Sequence, residues 1–154
     1  MGLIEEITGL APKFLESNRD AVLEKFSRKM EQAKSHRKYF SQLWEAYAWA
    51  SIIGFINNKP LKLDPTSKTD SVKSDAFKFS VILNNGEDVA YALILAAIAK
   101  SDKGFKILET PNEIIQIISE YANGGFQIIK EKIAEDPNIF QNPNDYIKEL
   151  LERK

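Results

Sequence analysis

The chain has no cysteine and a single histidine, His36, among its 154 residues. Without thiols there are no disulfides, no thiolate zinc sites, no cysteine-ligated iron–sulfur clusters and no thiol-borne sulfur transfer. One histidine rules out paired-histidine metal motifs. A Ser-His-Asp arrangement would depend on a ring lying beside Arg37 and Lys38, where solvation is the expected state. Glycine and proline are sparse, 7 and 6. The glycines never fall in G-x-x-x-x-G-K-[ST], G-x-G-x-x-G or G-x-S-x-G order, which removes the P-loop, the dinucleotide-binding turn and the nucleophile elbow. Neither sign of charge prevails: 21 basic and 22 acidic side chains leave a net charge of -1, so no global field draws in nucleic acid. No apolar run approaches the ~18 residues of a membrane span. Glu5 and Glu6 stand where a secretory signal carries positive charge, and Glu6 occupies the place of the Ser or Thr that myristoylation of Gly2 needs. The expectation is a cytoplasmic protein with no membrane partner.

What is present is ordinary globular material, 44% apolar and 28% charged, at a length suited to one core. The reading is a mainly α single domain over 1–154, a compact bundle of about six helices with one long loop at about 57–75 and a small β element near 77–83. A first helix starts at Ser17, with Asp20 placed to close a capping box, and runs through Val22, Leu23, Phe26 and Met30. A second covers about His36 to Ile56 and is apolar almost all round from Leu43, which marks it as central. Its Trp44, Tyr47 and Trp49 invite comparison with a base-stacking platform, but no basic residue lies between Lys38 and Lys59, so core packing is preferred. The loop carries Pro60 and Pro65 and reads as a connector, with Lys59, Lys62, Lys68 and Lys73 as the argument for a contact loop instead. Alternation of Phe77, Phe79, Val81 and Leu83 suggests a short strand.

Glu87-Asp88 opens a helix whose packing face is Ala90, Leu93, Ile94, Ala97 and Ile98. Thr110-Pro111-Asn112-Glu113 opens another, with Thr as cap, Pro at the first position and Glu closing the box. That helix should end at Asn123-Gly124-Gly125, a structural corner, with a following helix built on Phe126, Ile129 and Ile133. Asn142-Pro143 starts a last one, with Leu150 and Leu151 on its packing face.

Candidate chemistry is thin. Glu87/Asp88 and Glu131/Glu135 are acid pairs of the kind a metal-dependent hydrolase uses, yet helical spacing makes the second a solvated face. No catalytic, cofactor-binding or metal-ligating residue is nominated, and no cofactor is expected. Lys25, Arg28, Lys29, Lys34, Arg37 and Lys38 fall within fourteen positions and form a candidate DNA or partner contact whose binding would weaken with salt. Gly124-Gly125 resembles neither a phosphate cradle, since a helix and not a strand precedes it, nor more than a weak helix–corner–helix DNA reader, whose second helix offers only Gln127, Lys130 and Lys132.

With these residues in view, the C-terminal two-thirds resembles the bacterial Dnd system-associated protein 4 family. The matching features are the aromatic-and-alanine helix from Ala50 to Phe55 with its Gly-Phe pair, then Lys59-Pro60-Leu61 and the helix opening at Glu87-Asp88. Most specific is Glu120-Tyr121-Ala122-Asn123-Gly124-Gly125, and Leu150-Leu151 closes the pattern. The resemblance spans about 38–152, leaving 1–34 as an N-terminal helical extension. It implies a place beside DNA phosphorothioation and its linked restriction, hence defence against foreign DNA, but supplies no catalytic residues. The function expected is a non-catalytic accessory or interaction protein with other proteins of that complex as partners, nucleic acid as a further contact, and homodimer formation open. A small DNA-binding transcriptional regulator using Asn123–Gly125 is the alternative.

Overall fold

The computed structural model describes residues 2–23, 25–26, 40, 42–137, 139, 147–148 and 151–152. Two helices dominate it. α2 (Leu43–Ile56) starts after Gln42, whose amide donates to Glu45 Oε1 at 3.1 Å, later than the His36 start expected; residues 36–39 and 41 lie outside the described part. α5 runs without interruption from Pro111 to Glu135, roughly 37 Å at 1.5 Å per residue. The corner expected at Asn123-Gly124-Gly125 is therefore absent, and the two helices expected on either side of it are one. α2 lies along α5 in the most extensive contact between elements. α5 starts where expected, Pro111 following Thr110, but the expected capping box does not form: Thr110 makes no side-chain cap bond, and its hydroxyl donates to the Glu113 carboxylate instead.

Around this pair sit α1 (Leu3–Thr8), α3 (Phe79–Asn85) and α4 (Glu87–Lys100), with a five-residue π-helical turn at Arg19–Leu23 and a 3-10 segment at Gly104–Glu109. Gly104, at φ 57°, takes the left-handed conformation that lets the chain turn out of α4 into that segment. The fold is thus mainly α, as expected, but its β element is elsewhere. β1 (Phe14–Leu15) and β2 (Val72–Lys73) pair antiparallel, Phe14 opposite Lys73 and Leu15 opposite Val72. Residues 79–83, read as strand, are helical because the same residues also satisfy the helical period: Phe79 and Ile82, three apart, are both fully buried. The Phe79 amide donates to Leu10 O at 2.8 Å, which fixes where α3 begins.

The core joins the helices and β1. Tyr47 is fully buried between the rings of Phe77 (5.4 Å) and Phe126 (5.7 Å), while Trp49 is covered by Phe26 (5.3 Å) and Phe40 (5.6 Å). The aromatic residues of α2 are core and not a stacking platform. Residues expected as an N-terminal extension enter the same core, with Ile7, Phe14, Val22, Leu23 and Phe26 all buried. Ser17 is not the cap of its own helix. Its amide and hydroxyl both donate to Asp70, at 3.0 and 2.6 Å, so the loop supplies the acceptor. Glu24 and residues 27–30, the remainder of the first expected helix, lie outside the described residues.

The 57–75 loop is tied down at several points. After α2, Asn58 adopts a left-handed φ of 51°, which an Asn tolerates better than most residues, and the Lys59 amide returns to Gly54 O at 3.0 Å. Further on, the Leu61 amide donates to Glu120 O at 2.9 Å, and the Glu16 amide to Ser71 O at 2.8 Å. Asp75 pairs with Arg19, whose guanidinium lies 5.2 Å from the centre of the Phe14 ring. The segment is thus fastened to both β1 and α5 and is not a free connector.

Candidate functional site

Of the candidate basic contact, only Lys25 is described, and it is half-buried; Arg28, Lys29, Lys34, Arg37 and Lys38 lie outside the described residues.

Asn123, Gly124 and Gly125 are all buried in the middle of α5, and each has a distinct packing task. A Cβ on Gly125 would lie 1.8 Å from Ala50 O, and one on Gly54 would lie 1.8 Å from Tyr121 O, so α2 and α5 touch backbone to backbone. A Cβ on Gly124 would lie 1.7 Å from Lys59 O in the loop. In each case a carbonyl oxygen occupies the place of a side chain, the arrangement of a Cα–H···O contact. The glycines are notches for close approach and present no amides to an anion, because those amides belong to the helix interior. The recognition helix of a helix–corner–helix reader loses its basis with the corner, since Gln127, Lys130 and Lys132 continue the same helix.

Asn123 saturates its side chain. Oδ1 accepts from the Leu15 amide (3.0 Å) and from Asn18 Nδ2 (2.9 Å), while Nδ2 donates to Lys13 O (2.9 Å) and Ser119 O (2.7 Å). Ser119 Oγ accepts from the Lys13 amide (2.9 Å), and the Tyr47 hydroxyl donates to Lys13 O (2.7 Å). Burial pushes the Tyr47 hydroxyl well above the usual tyrosine range, with the Ser119 hydrogen bond opposing. Three side chains of the helix pair thus hold the Lys13–Leu15 backbone as a neighbouring strand would, and β2 completes the other edge.

Two open clefts flank α5. One, of about 440 Å³, is lined by Lys62, Lys100, Lys103, Glu113, Glu120 and Tyr121 among others. Lys103 donates to both oxygens of Glu113 (2.9 and 2.8 Å), which, with the Thr110 hydroxyl, holds that carboxyl below its ordinary range. Lys100 reaches Asn58 Oδ1 at 3.0 Å above the Tyr121 ring. Cations and acids there are balanced. The other, of about 450 Å³, is bounded by Leu10, Lys13, Ser74, Asn112 and Gln116. Glu87 and Asp88, the acids a metal-dependent hydrolase would need, stand exposed on the first turn of α4, and no cluster of three metal-ligating side chains occurs among the described residues.

The surface feature with the clearest chemistry is the outer side of α4. The expected packing face, Ala90, Leu93, Ile94, Ala97 and Ile98, is buried throughout. On the opposite side Tyr91 is 42% and Leu95 60% exposed; Ala92 and Ala99 are exposed and Ala96 half-exposed. Just past the helix Phe105 is 72% exposed. No charged or hydrogen-bonding side chain except the Tyr91 hydroxyl interrupts α4 between Asp88 and Lys100. A helix that is apolar on both sides has a second surface to cover. The signal was present in the sequence as the unbroken run Val89–Ala99, of which the core uses only one side.

The fold and this surface define a small helical domain organised on a notched helix pair and carrying an outward apolar helix face. Its sequence places it more closely: the model of the family described as DNA sulphur modification system-associated protein 4 matches residues 19–152, and the chain belongs to that family. The match starts well before residue 38, inside the segment first read as an extension. No curated protein and no solved structure matches the chain. Among the described residues no helix is long and apolar enough to cross a membrane.

Proposed function

We propose that this protein is a non-catalytic accessory component of a bacterial DNA sulphur modification system and its linked restriction, acting in the cytoplasm in defence against foreign DNA. It works by assembly. The observation that carries this reading is the outer face of α4, an uncharged helical surface bearing Tyr91, Leu95 and, beside it, Phe105, on a chain whose family is named for such a system. The apolar residues supply contact area, and aromatic side chains are the commonest energetic anchors of protein interfaces. Lys25, Arg28, Lys29, Lys34, Arg37 and Lys38 supply a secondary contact to the DNA backbone, one that fades as salt rises.

The test is reconstitution. Tagged protein expressed together with the proteins of a DNA sulphur modification system should co-elute with at least one of them at low salt, and Leu95→Glu should abolish that while leaving the thermal unfolding midpoint nearly unchanged. Elution alone, together with no self-association, would remove the reading. Duplex DNA titrated across a salt series checks the secondary contact separately.

A further inference from the structure

We propose that the outer face of α4 is covered by a second copy of this chain, packed antiparallel about a twofold axis that crosses the helix between Leu93 and Ile94. The inference rests on the reading of α4 as an assembly surface and names its occupant. The large residues Tyr91 and Leu95 run along one edge of the exposed stripe, and the small residues Ala92, Ala96 and Ala99 along the other. A twofold axis in the plane of contact brings like edges together in opposite order. Tyr91 of each copy then lies beside Leu95 of the other, forming a four-residue apolar cluster. On the other edge alanine meets alanine, which allows the helix axes to approach to the short end of the usual 8–10 Å.

Charge fixes the orientation. Both acids of α4, Glu87 and Asp88, lie in its first turn and its one base, Lys100, in its last. Parallel copies would set the acidic turns side by side. Antiparallel copies set each beside the Lys100 end of the other and oppose the helix dipoles. Lys100 is free to contribute its charge, because its own contacts are to a neutral amide and a ring. Beyond it the charges alternate, with Asp102, the Lys103–Glu113 pair and Lys106, so the favourable contact is that of Lys100 with Asp88, which lies mid-stripe, while Glu87 on the Tyr91 edge contributes only at longer range. Phe105, beyond the last turn, adds exposed apolar surface at this end of the helix. One helix pair with a flanking aromatic falls short of the roughly 1,000 Å² of a stable interface, so the association is reversible and concentration-dependent.

The experiment is sedimentation velocity on the purified full chain over about a hundredfold range of concentration, where mass action moves a reversible equilibrium visibly. It is joined to oxidative cross-linking, which is unambiguous because the natural chain has no cysteine. We expect a monomer passing to a dimer, with Leu95→Glu weakening association by about tenfold or more. Leu95→Cys should cross-link, being near the axis. Ala99→Cys should not, because antiparallel copies hold those positions about 16 Å apart along the helices, beyond disulfide reach. All these positions face outward, and unfolding curves confirm that the variants fold. Equal cross-linking at position 99 would overturn the antiparallel arrangement. A monomer at every concentration that still requires Leu95 to hold proteins of the modification system would overturn this inference and leave the proposed function standing. A monomer that also holds none of those proteins would remove both.

Discussion

At the scale of single residues, Asn123 shows how a polar side chain can be a core residue. It is fully buried and uses both amide hydrogens and its oxygen in four hydrogen bonds. In Asn123→Ala, Lys13 O keeps the Tyr47 hydroxyl, but the Leu15 amide and the Asn18 side-chain amide lose their acceptor. At about 1–3 kcal/mol for each buried orphan, the cost is about 2–6 kcal/mol, measurable as a shift in urea midpoint. Asn123→Asp keeps the acceptor but places a carboxyl among the Lys13 and Ser119 carbonyls. Burial raises the folded-state pKa of that carboxyl, so the variant should gain stability as pH falls and lose it as pH rises through the raised value, a slope the natural protein lacks. Tyr47 works in the same direction at high pH. Its hydroxyl is raised by burial, so its contribution is intact below the ordinary tyrosine pKa of about 10 and is lost as pH rises beyond it. Tyr47→Phe should cost about 1 kcal/mol at neutral pH, since Lys13 O retains Asn123, and should flatten the alkaline end of the stability profile.

At the scale of elements, α2 and α5 set intrinsic propensity against packing. Each glycine inside a helix costs about 1 kcal/mol relative to Ala, so Gly54, Gly124 and Gly125 together weigh about 3 kcal/mol against the helices that contain them. They remain because a Cβ at any of the three would meet a backbone carbonyl. Gly125→Ala and Gly54→Ala should therefore destabilise by a net ~1–3 kcal/mol despite the better helix former, as overpacking does. Gly124→Ala should cost less than Gly125→Ala, because the carbonyl it meets belongs to the loop at Lys59 and not to a second helix. Thermal unfolding of the three variants checks the order. Here lies the division between what was and was not legible. The starting points of α4 and α5 follow from neighbours within one turn, Glu87-Asp88 and Thr110-Pro111, and were legible, although the capping box expected between Thr110 and Glu113 does not form. The continuity of α5 was not, because the reason for its glycines lies on α2 and at Lys59, far off in sequence. A Gly-Gly pair in isolation signals termination; facing Ala50 and Gly54 it signals contact. The 79–83 segment failed differently, since its apolar residues fit either period and only burial decides.

At the scale of the whole molecule, the question is whether 38–152 could stand without what precedes it. Val22, Leu23 and Phe26 were legible as one apolar face, but the place of the first twenty-six residues in the core was not, because β1 is two residues long and its partners, β2 and the Tyr47–Ser119–Asn123 network, come from three distant segments. Ile7, Phe14, Val22, Leu23 and Phe26 are buried, and at about 1.5–3 kcal/mol each their transfer from water amounts to roughly 8–15 kcal/mol. That is comparable to the 5–15 kcal/mol of net stability such a domain has. Removing residues 2–26 would also strip β2 of its neighbour and leave Ser119, Asn123 and the Tyr47 hydroxyl facing an emptied groove. The truncated chain should thus lose its cooperative unfolding transition, seen as retained helical circular dichroism with no sharp melt. A smaller deletion, residues 2–8, removes α1 and Ile7 alone and should lower the melting temperature while keeping the transition cooperative. If the long truncation melted as sharply as the full chain, the first part of the sequence would be an appendage after all, and the network centred on Asn123 would be decoration and not structure.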